Sequence, residues 1–399
     1  MKKRHLLPLF TLVASCLINM AYADELPGTP ASTNTPGSAY PRILPDNRVV
    51  FQVKAPEADR VAFQTDKTYP ATKDEEGTWT VTTDPQAPGF HYYWLVIDGV
   101  QVNDPSSETF YGTGKQTSGI EIPEAGDTGA YYDFQDVPHG EVRERWYQSS
   151  VTQGPRRFFL YTPPGYDQSP DTRYPVLYLQ HGGGEDERAW PIQGRVAHIM
   201  DNLIASGDAE PMLVVMERGY ALRPEEEPIP FRMGPDVSMD ELNRQMLKRF
   251  ASFEAVIIED VIPFIDSQYR TIPDRHHRAI AGFSMGGFQA YMIGLQNLDT
   301  FASIGGLSGT GHFGPGDIDP ETYYGGALAD TASFNESMDL MFFGHGTQEP
   351  DRMMAGFNAF HANLSRIGID HVYYQSEGTG HVWLTERRNL RELAKRLFK

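Results

Sequence analysis

Residues Gly282-Phe283-Ser284-Met285-Gly286-Gly287 constrain this chain more than any other stretch. One serine is set between small residues in the spacing G-x-S-x-G. Residues 277–281 before it read as a short strand, and residues 288–295 after it are apolar and compatible with a helix. Strand, sharp turn and helix in that order lift a serine hydroxyl onto the apex of a strained turn. A side chain at Gly282, Gly286 or Gly287 would collide with the neighbouring backbone, so glycine is needed there. In a chain with 38 glycines the bare pattern can arise by chance. The flanking strand and helix separate it from an ordinary Gly-rich turn and make Ser284 the candidate nucleophile.

The chain has 399 residues, which suits two domains rather than one. Hydrophobic residues make up 40%, enough for packed cores, and the formal charge is −19 without any basic run. That balance excludes nucleic acid as a partner and electrostatic docking on an anionic membrane. Residues 1–23 read as an export signal: Lys2, Lys3 and Arg4 precede an apolar stretch, and Ala21-Tyr22-Ala23 forms a small-x-small cleavage site. No second apolar stretch is long enough to span a bilayer. The single cysteine, Cys16, lies within the signal. Val13-Ala14-Ser15-Cys16 also reads as a lipidation site, but the apolar run continues beyond it, which favours release into the periplasm or medium. Cleavage after Ala23 leaves no cysteine for disulfides or catalysis.

Residues 24–39 are rich in Pro, Gly, Ser and Thr and read as a flexible linker. Residues 40–125 carry short β-branched and aromatic runs at 49–53, 60–64, 78–82 and 92–96, separated by turn residues. They predict a small all-β, immunoglobulin-like sandwich. A connecting segment, 126–140, follows. From residue 141 to 399 strands alternate with helices, which predicts an α/β, doubly wound, mainly parallel sheet. Candidate strands are 157–161, 175–179, 212–216, 278–281, 303–307, 340–343 and 372–375. Residues 253–265 have an apolar face at helical spacing, and residues 384–399 read as an amphipathic closing helix.

A serine nucleophile requires a base, an acid that orients the base, and amides that hold an oxyanion. His381, in the Gly-rich loop after the last strand, lies at the carboxyl edge of the sheet, where open α/β folds bind ligands. His312, His345, His361 and His371 read as surface or packing residues, His345 being the nearest competitor. The acid belongs on the loop after strand 340–343, where Glu349 and Asp351 both qualify; either also suits a helix N-terminus beside Pro350. The amide of Met285 supplies one oxyanion donor. Gln180-His181-Gly182-Gly183-Gly184, after strand 175–179, supplies another through Gly183, while His181 reads as structural. Trp190 and residues 221–231 are candidate pocket walls, although Trp190 suits core packing equally. No metal or organic cofactor is implied.

The motifs at 161–166, 178–187, 269–274 and 380–383, with the turn at Ser284, together resemble the esterase D-like family. The nearest group is carbohydrate esterase family 1, with its feruloyl and acetyl-xylan esterases. The resemblance covers residues 140–399 and implies an α/β-hydrolase fold. It also favours Glu349 as the acid, because in such relatives the acid follows a Gly-Thr turn, here Gly346-Thr347. Relatives carry Asp where this chain has Glu. Residues 88–105 resemble an early-set domain related to glycogen-binding modules, and Trp79, Tyr92, Tyr93 and Trp94 are its candidate sugar platform. For at least half of these aromatics, alternation along the strands favours core packing. The resemblance implies a serine esterase that removes feruloyl or acetyl groups from plant cell-wall polysaccharide such as arabinoxylan. Two alternatives stand beside it: an enterobactin-type siderophore esterase, and a non-catalytic carbohydrate-binding protein.

Overall fold

A computed structural model describes residues 26–229 and 237–399, with the side chain of Asp127 left aside. The expected export signal and Cys16 lie outside the described residues, as do Pro230 and Phe231. Among the described residues no helix is long and apolar enough to cross a membrane.

Two antiparallel sheets form the amino-terminal layer. One has the order Thr29–Pro30, Arg42–Ile43, Val49–Lys54, Thr78–Thr82, Thr72–Lys73. The other runs Thr109–Gly112, Lys115–Ile122, Gly89–Ile97, Val61–Gln64, Thr68–Pro70, with Val100–Val102 beside Gly89–Ile97. Alternate residues point inward, as the pleat requires, so Phe51, Phe63, Trp79, Tyr93 and Leu95 fill one core. Trp79 and Tyr93 are therefore packing residues rather than a sugar platform. The expected linker is also corrected. Its described part is built into the sandwich: Thr29–Pro30 pairs with Arg42–Ile43, Asn34 bridges Ser107, and the Thr35 amide donates to the Ser106 carbonyl at 2.8 Å. Small polar residues there satisfy backbone groups locally, a role that composition does not distinguish from a free linker.

The third and main sheet has eight strands: β1 Glu141–Gln148, β2 Pro155–Thr162, β3 Val176–Gln180, β4 Leu213–Glu217, β5 Arg278–Phe283, β6 Ser303–Leu307, β7 Leu340–Gly346 and β8 Val372–Ser376. Their order is β1-β2-β4-β3-β5-β6-β7-β8. The β1–β2 and β2–β4 pairs are antiparallel and the remainder parallel. Strands β3 to β6 are buried almost throughout, which explains their continuous apolar runs. Strand β1, Glu-Val-Arg-Glu-Arg-Trp-Tyr-Gln, is an exposed edge and was not expected from the sequence. Charges that blunt an edge strand also hide it from a search for apolar runs.

Five helices matter for the site. They are α1 Val196–Ser206, α2 Met239–Ala255, α3 Met285–Gln296, α4 Asp351–Ile367 and α5 Trp383–Ala394. One face of the sheet packs on α2, α3 and α4. The other packs on α1 and α5, in a core that also takes in Phe90 and Phe110 from the sandwich. Sandwich and main sheet therefore share apolar interior. An ion pair crosses the same boundary: fully buried Arg387 of α5 donates to both carboxylate oxygens of Glu121, at 2.7 and 2.9 Å, and to the Gln193 carbonyl. Removing one partner strands a buried charge. Arg387→Leu is expected to lower stability by about 3–5 kcal/mol in denaturant unfolding, and pairing it with Glu121→Leu should recover most of the loss.

Candidate active site

The site begins with a backbone turn. Ser284 joins β5 to α3 at φ 53° and ψ −109°, a conformation that an L-residue rarely adopts. Its neighbours explain why the chain tolerates it. A Cβ on Gly282 would lie 2.4 Å from the Gly286 carbonyl carbon, and one on Gly286 would lie 2.7 Å from the Gln180 and His181 carbonyl oxygens. β5 is central, between β3 and β6, so the turn projects Ser284 from the middle of the sheet's carboxyl edge.

The other groups arrive from neighbouring strand ends. His381 lies between β8 and α5, and its Nε2 is 3.0 Å from Ser284 Oγ. Its Nδ1 is 2.9 Å from Glu349 Oε2, on the loop after β7. Glu349 is buried, and its other oxygen accepts from Ser308 Oγ at 2.6 Å and the Gly346 amide at 3.4 Å. These contacts hold the carboxylate against the Nδ1 edge of the His381 ring and so fix the ring's orientation. Asp351 is exposed in the first turn of α4, where its charge suits the helix N-terminus. The structure thus brings Ser284, His381 and Glu349 together and leaves Asp351 apart.

Gly183 and Met285 line the cavity with Ser284 and lie close together; a Cβ on Gly183 would be 3.9 Å from Met285 Cβ. Among the described residues the Gly183 amide has no hydrogen-bond acceptor. Its neighbours are engaged, the Gly182 amide with Glu185 at 3.1 Å and the Gly184 amide with the Tyr220 hydroxyl at 2.8 Å. His181 is buried, its Nδ1–H donating to the Gly182 carbonyl at 2.8 Å while Nε2 accepts from the Gly219 amide at 2.9 Å. Burial pushes its pKa down to about 4, so it is a neutral strut beneath the loop. His345 is likewise enclosed, between the Gly346 carbonyl and the Tyr373 hydroxyl.

A cavity of about 750 Å³ opens onto Ser284, His381 and Gly183. Its apolar wall comes from Leu242, Met246 and Phe250 on one stripe of α2, from Phe288 of α3, and from Phe313 and Phe357. Trp190 is not part of it. That expectation is corrected, because the indole is 1% exposed, donates to the Gln180 carbonyl at 2.8 Å and packs edge-on against Trp383. Residues 221–229 do not line the cavity either; Glu226 there accepts from Ser252 Oγ and the Arg223 amide.

Two groups near the centre escaped sequence reading. Ser308 is one, identified only by its contact with Glu349. Glu386 is the other: it is fully buried in α5, and its carboxyl lies with the Glu349 carboxyl and the His381 ring in a cluster whose ligand atoms are all within 4.8 Å of one another. Burial, and then the Glu349 charge, push its pKa well above the usual range, against the hydrogen bond from Asn389 at 3.2 Å. Glu386→Gln should keep kcat/KM within about threefold, under 1 kcal/mol of barrier. Glu386→Ala should lower the thermal midpoint by several degrees by opening a cavity.

An esterase family model, "Esterase", matches residues 149–354. The endo-1,4-beta-xylanase/feruloyl esterase of Xylanibacter ruminicola is 36% identical over 379 residues, covering 93% of this chain and 47% of that protein. Endo-1,4-beta-xylanase Y of Acetivibrio thermocellus is 29% identical over 172 residues, covering 40% of this chain and 14% of that protein. The chain spans about half, or less, of the length of these curated relatives. Among solved structures, a ferulic acid esterase from Anaeromyces mucronatus has TM-score 0.55 at 22% identity, covering 67% of this chain and 95% of its own. An enterobactin esterase from Shigella flexneri has TM-score 0.61 at 17% identity, covering 88% and 92%. At these identities the likeness shows the fold, that of the α/β-hydrolases.

Proposed function

The chain belongs to the Esterase family, and on that premise we propose that it is an exported serine carboxylesterase releasing aromatic acyl groups of the feruloyl kind from plant cell-wall polysaccharide. The observation that carries this reading is the continuous hydrogen-bond path Ser284–His381–Glu349, at 3.0 and 2.9 Å. In the proposed reaction Ser284 Oγ attacks the ester carbonyl while His381 Nε2 takes its proton. Glu349 holds the ring and stabilises the imidazolium. The carbonyl oxygen becomes an oxyanion facing the Met285 and Gly183 amides. Collapse expels the sugar alkoxide, which His381 protonates. Water, deprotonated by His381, then attacks the acyl-enzyme and returns free acid and Ser284.

The acyl preference follows from the cavity. Its volume of about 750 Å³ and its wall of Phe250, Phe288, Phe313 and Phe357 suit a planar aromatic group. An acetyl group would leave most of that space to water against apolar walls. The Xylanibacter relative, named as a xylanase and feruloyl esterase, supports the polysaccharide context. Export is supported by the basic-then-apolar segment at residues 1–23. The likeness to enterobactin esterases rests on the fold and brings no substrate with it.

The test is a hydrolysis panel of methyl ferulate, acetylated xylan and enterobactin. Methyl ferulate should lead the others by about tenfold or more in kcat/KM, a difference of about 1.4 kcal/mol. A lead by enterobactin would replace this reading with the siderophore one. Ser284→Ala should lower kcat by at least about 10⁴-fold. Glu349→Ala should cost about 10²–10⁴-fold, whereas Asp351→Ala should stay within about twofold.

A further inference from the structure

The loop that carries Gly183 is tied at both ends to the sandwich. On one side Glu185, which is buried, accepts three hydrogen bonds: from the Gly182 amide at 3.1 Å, from Trp383 Nε1 at 3.0 Å and from the Tyr92 hydroxyl at 3.0 Å. Tyr92 belongs to strand Gly89–Ile97 of the sandwich, and its oxygen in turn accepts from Gln193 Nε2 at 2.8 Å. On the other side the Gly114 amide, from the turn before strand Lys115–Ile122, donates to the Gly184 carbonyl at 2.7 Å. The approach is close: a Cβ on Gly184 would lie 3.2 Å from both Gly114 N and Thr113 Cα. Gly183 lies between these two ties.

A run of three glycines is soft on its own, whereas oxyanion donors work only when held in place before charge develops. Something must supply that rigidity, and the contacts come from the sandwich. Tyr93 and Trp79, two of the four aromatics that the sequence offers as a sugar platform, are instead consumed by the sandwich core. Tyr92 points the opposite way, toward Glu185.

We propose that the amino-terminal sandwich is a positioning element of the catalytic centre. Tyr92, acting through Glu185, and Gly114, acting through Gly184, hold the Gly183 amide opposite that of Met285. This rests on the reading of Gly183 and Met285 as oxyanion donors. Tyr92 and Glu185 are positioning residues and touch no reacting atom. Burial raises the Glu185 pKa to about 7, while its three donors oppose the rise, so the carboxylate is held by hydrogen bonds rather than by a cation.

The experiment uses the full chain, with Tyr92→Phe and Glu185→Gln, on methyl ferulate, which carries no sugar. Each variant should lose about tenfold or more in kcat with KM within about twofold, at an unfolding midpoint close to wild type. The inhibition constant of an aryl boronic acid, which forms a tetrahedral adduct on serine, should rise in parallel with the loss of kcat. Wild-type kcat in both variants would overturn the proposal, as would a rise in KM alone, which would make the sandwich a substrate-binding surface. A wild-type protein inactive on every ester would overturn the catalytic reading and this proposal with it. An active wild type with unaffected variants would overturn this proposal alone.

Discussion

The candidate active site is built around a backbone that must turn through φ 53° at Ser284. Such a conformation costs on the order of 1–3 kcal/mol and persists only where the surroundings over-determine it. Here they do. The Ser284 amide donates to the Leu307 carbonyl at 2.8 Å, extending the β5–β6 ladder one residue past the strand. Ser308, on the next strand end, repeats the device with its amide on the Gly344 carbonyl at 2.7 Å. Gly282, Gly286 and Gly309 lie within van der Waals contact of neighbouring backbone, with no room for a Cβ. The proposed nucleophile, the serine that holds the acid and the loop that carries the acid are thereby fixed by the edge of one sheet.

Around that edge three buried carboxyls are handled differently. Glu349 is held by Ser308, Gly346 and His381. Glu386 accepts from Asn389 at 3.2 Å, while burial and the neighbouring Glu349 push its pKa well above the usual range. Glu185 collects donors from the glycine loop, from α5 and from the sandwich, and so links parts of the chain far apart in sequence. Burying a carboxyl disfavours its charge, and the donors around each one decide whether the charge survives. The −19 formal charge of the chain says nothing of this distribution.

The sequence made the main sheet legible because β2 to β8 are apolar runs between turn residues, and it made Ser284, His381 and the Gly183 loop legible because each sits beside glycines at a strand end. Strand β1 was hidden by its charges. The strand Thr29–Pro30 was hidden because small polar residues serve a linker and a sandwich edge equally well. The local sequence alone does not separate Glu349 from Asp351, since both flank Pro350 and either can open a helix; the resemblance favours Glu349, and the fold sets it 2.9 Å from His381. Trp190, Glu386 and Tyr92 depend on which face of an element turns inward at a boundary between layers. Periodicity within one segment carries no such information.

The proposed chemistry depends on the reactivity of one hydroxyl, that of Ser284. The most direct measurement is labelling of the full chain with a fluorophosphonate, followed by peptide mass spectrometry. A serine activated by His381 and facing the Gly183 and Met285 amides predicts a single stoichiometric adduct on the peptide containing Ser284. An adduct on another residue, or ester hydrolysis that continues with Ser284 unlabelled, would contradict it.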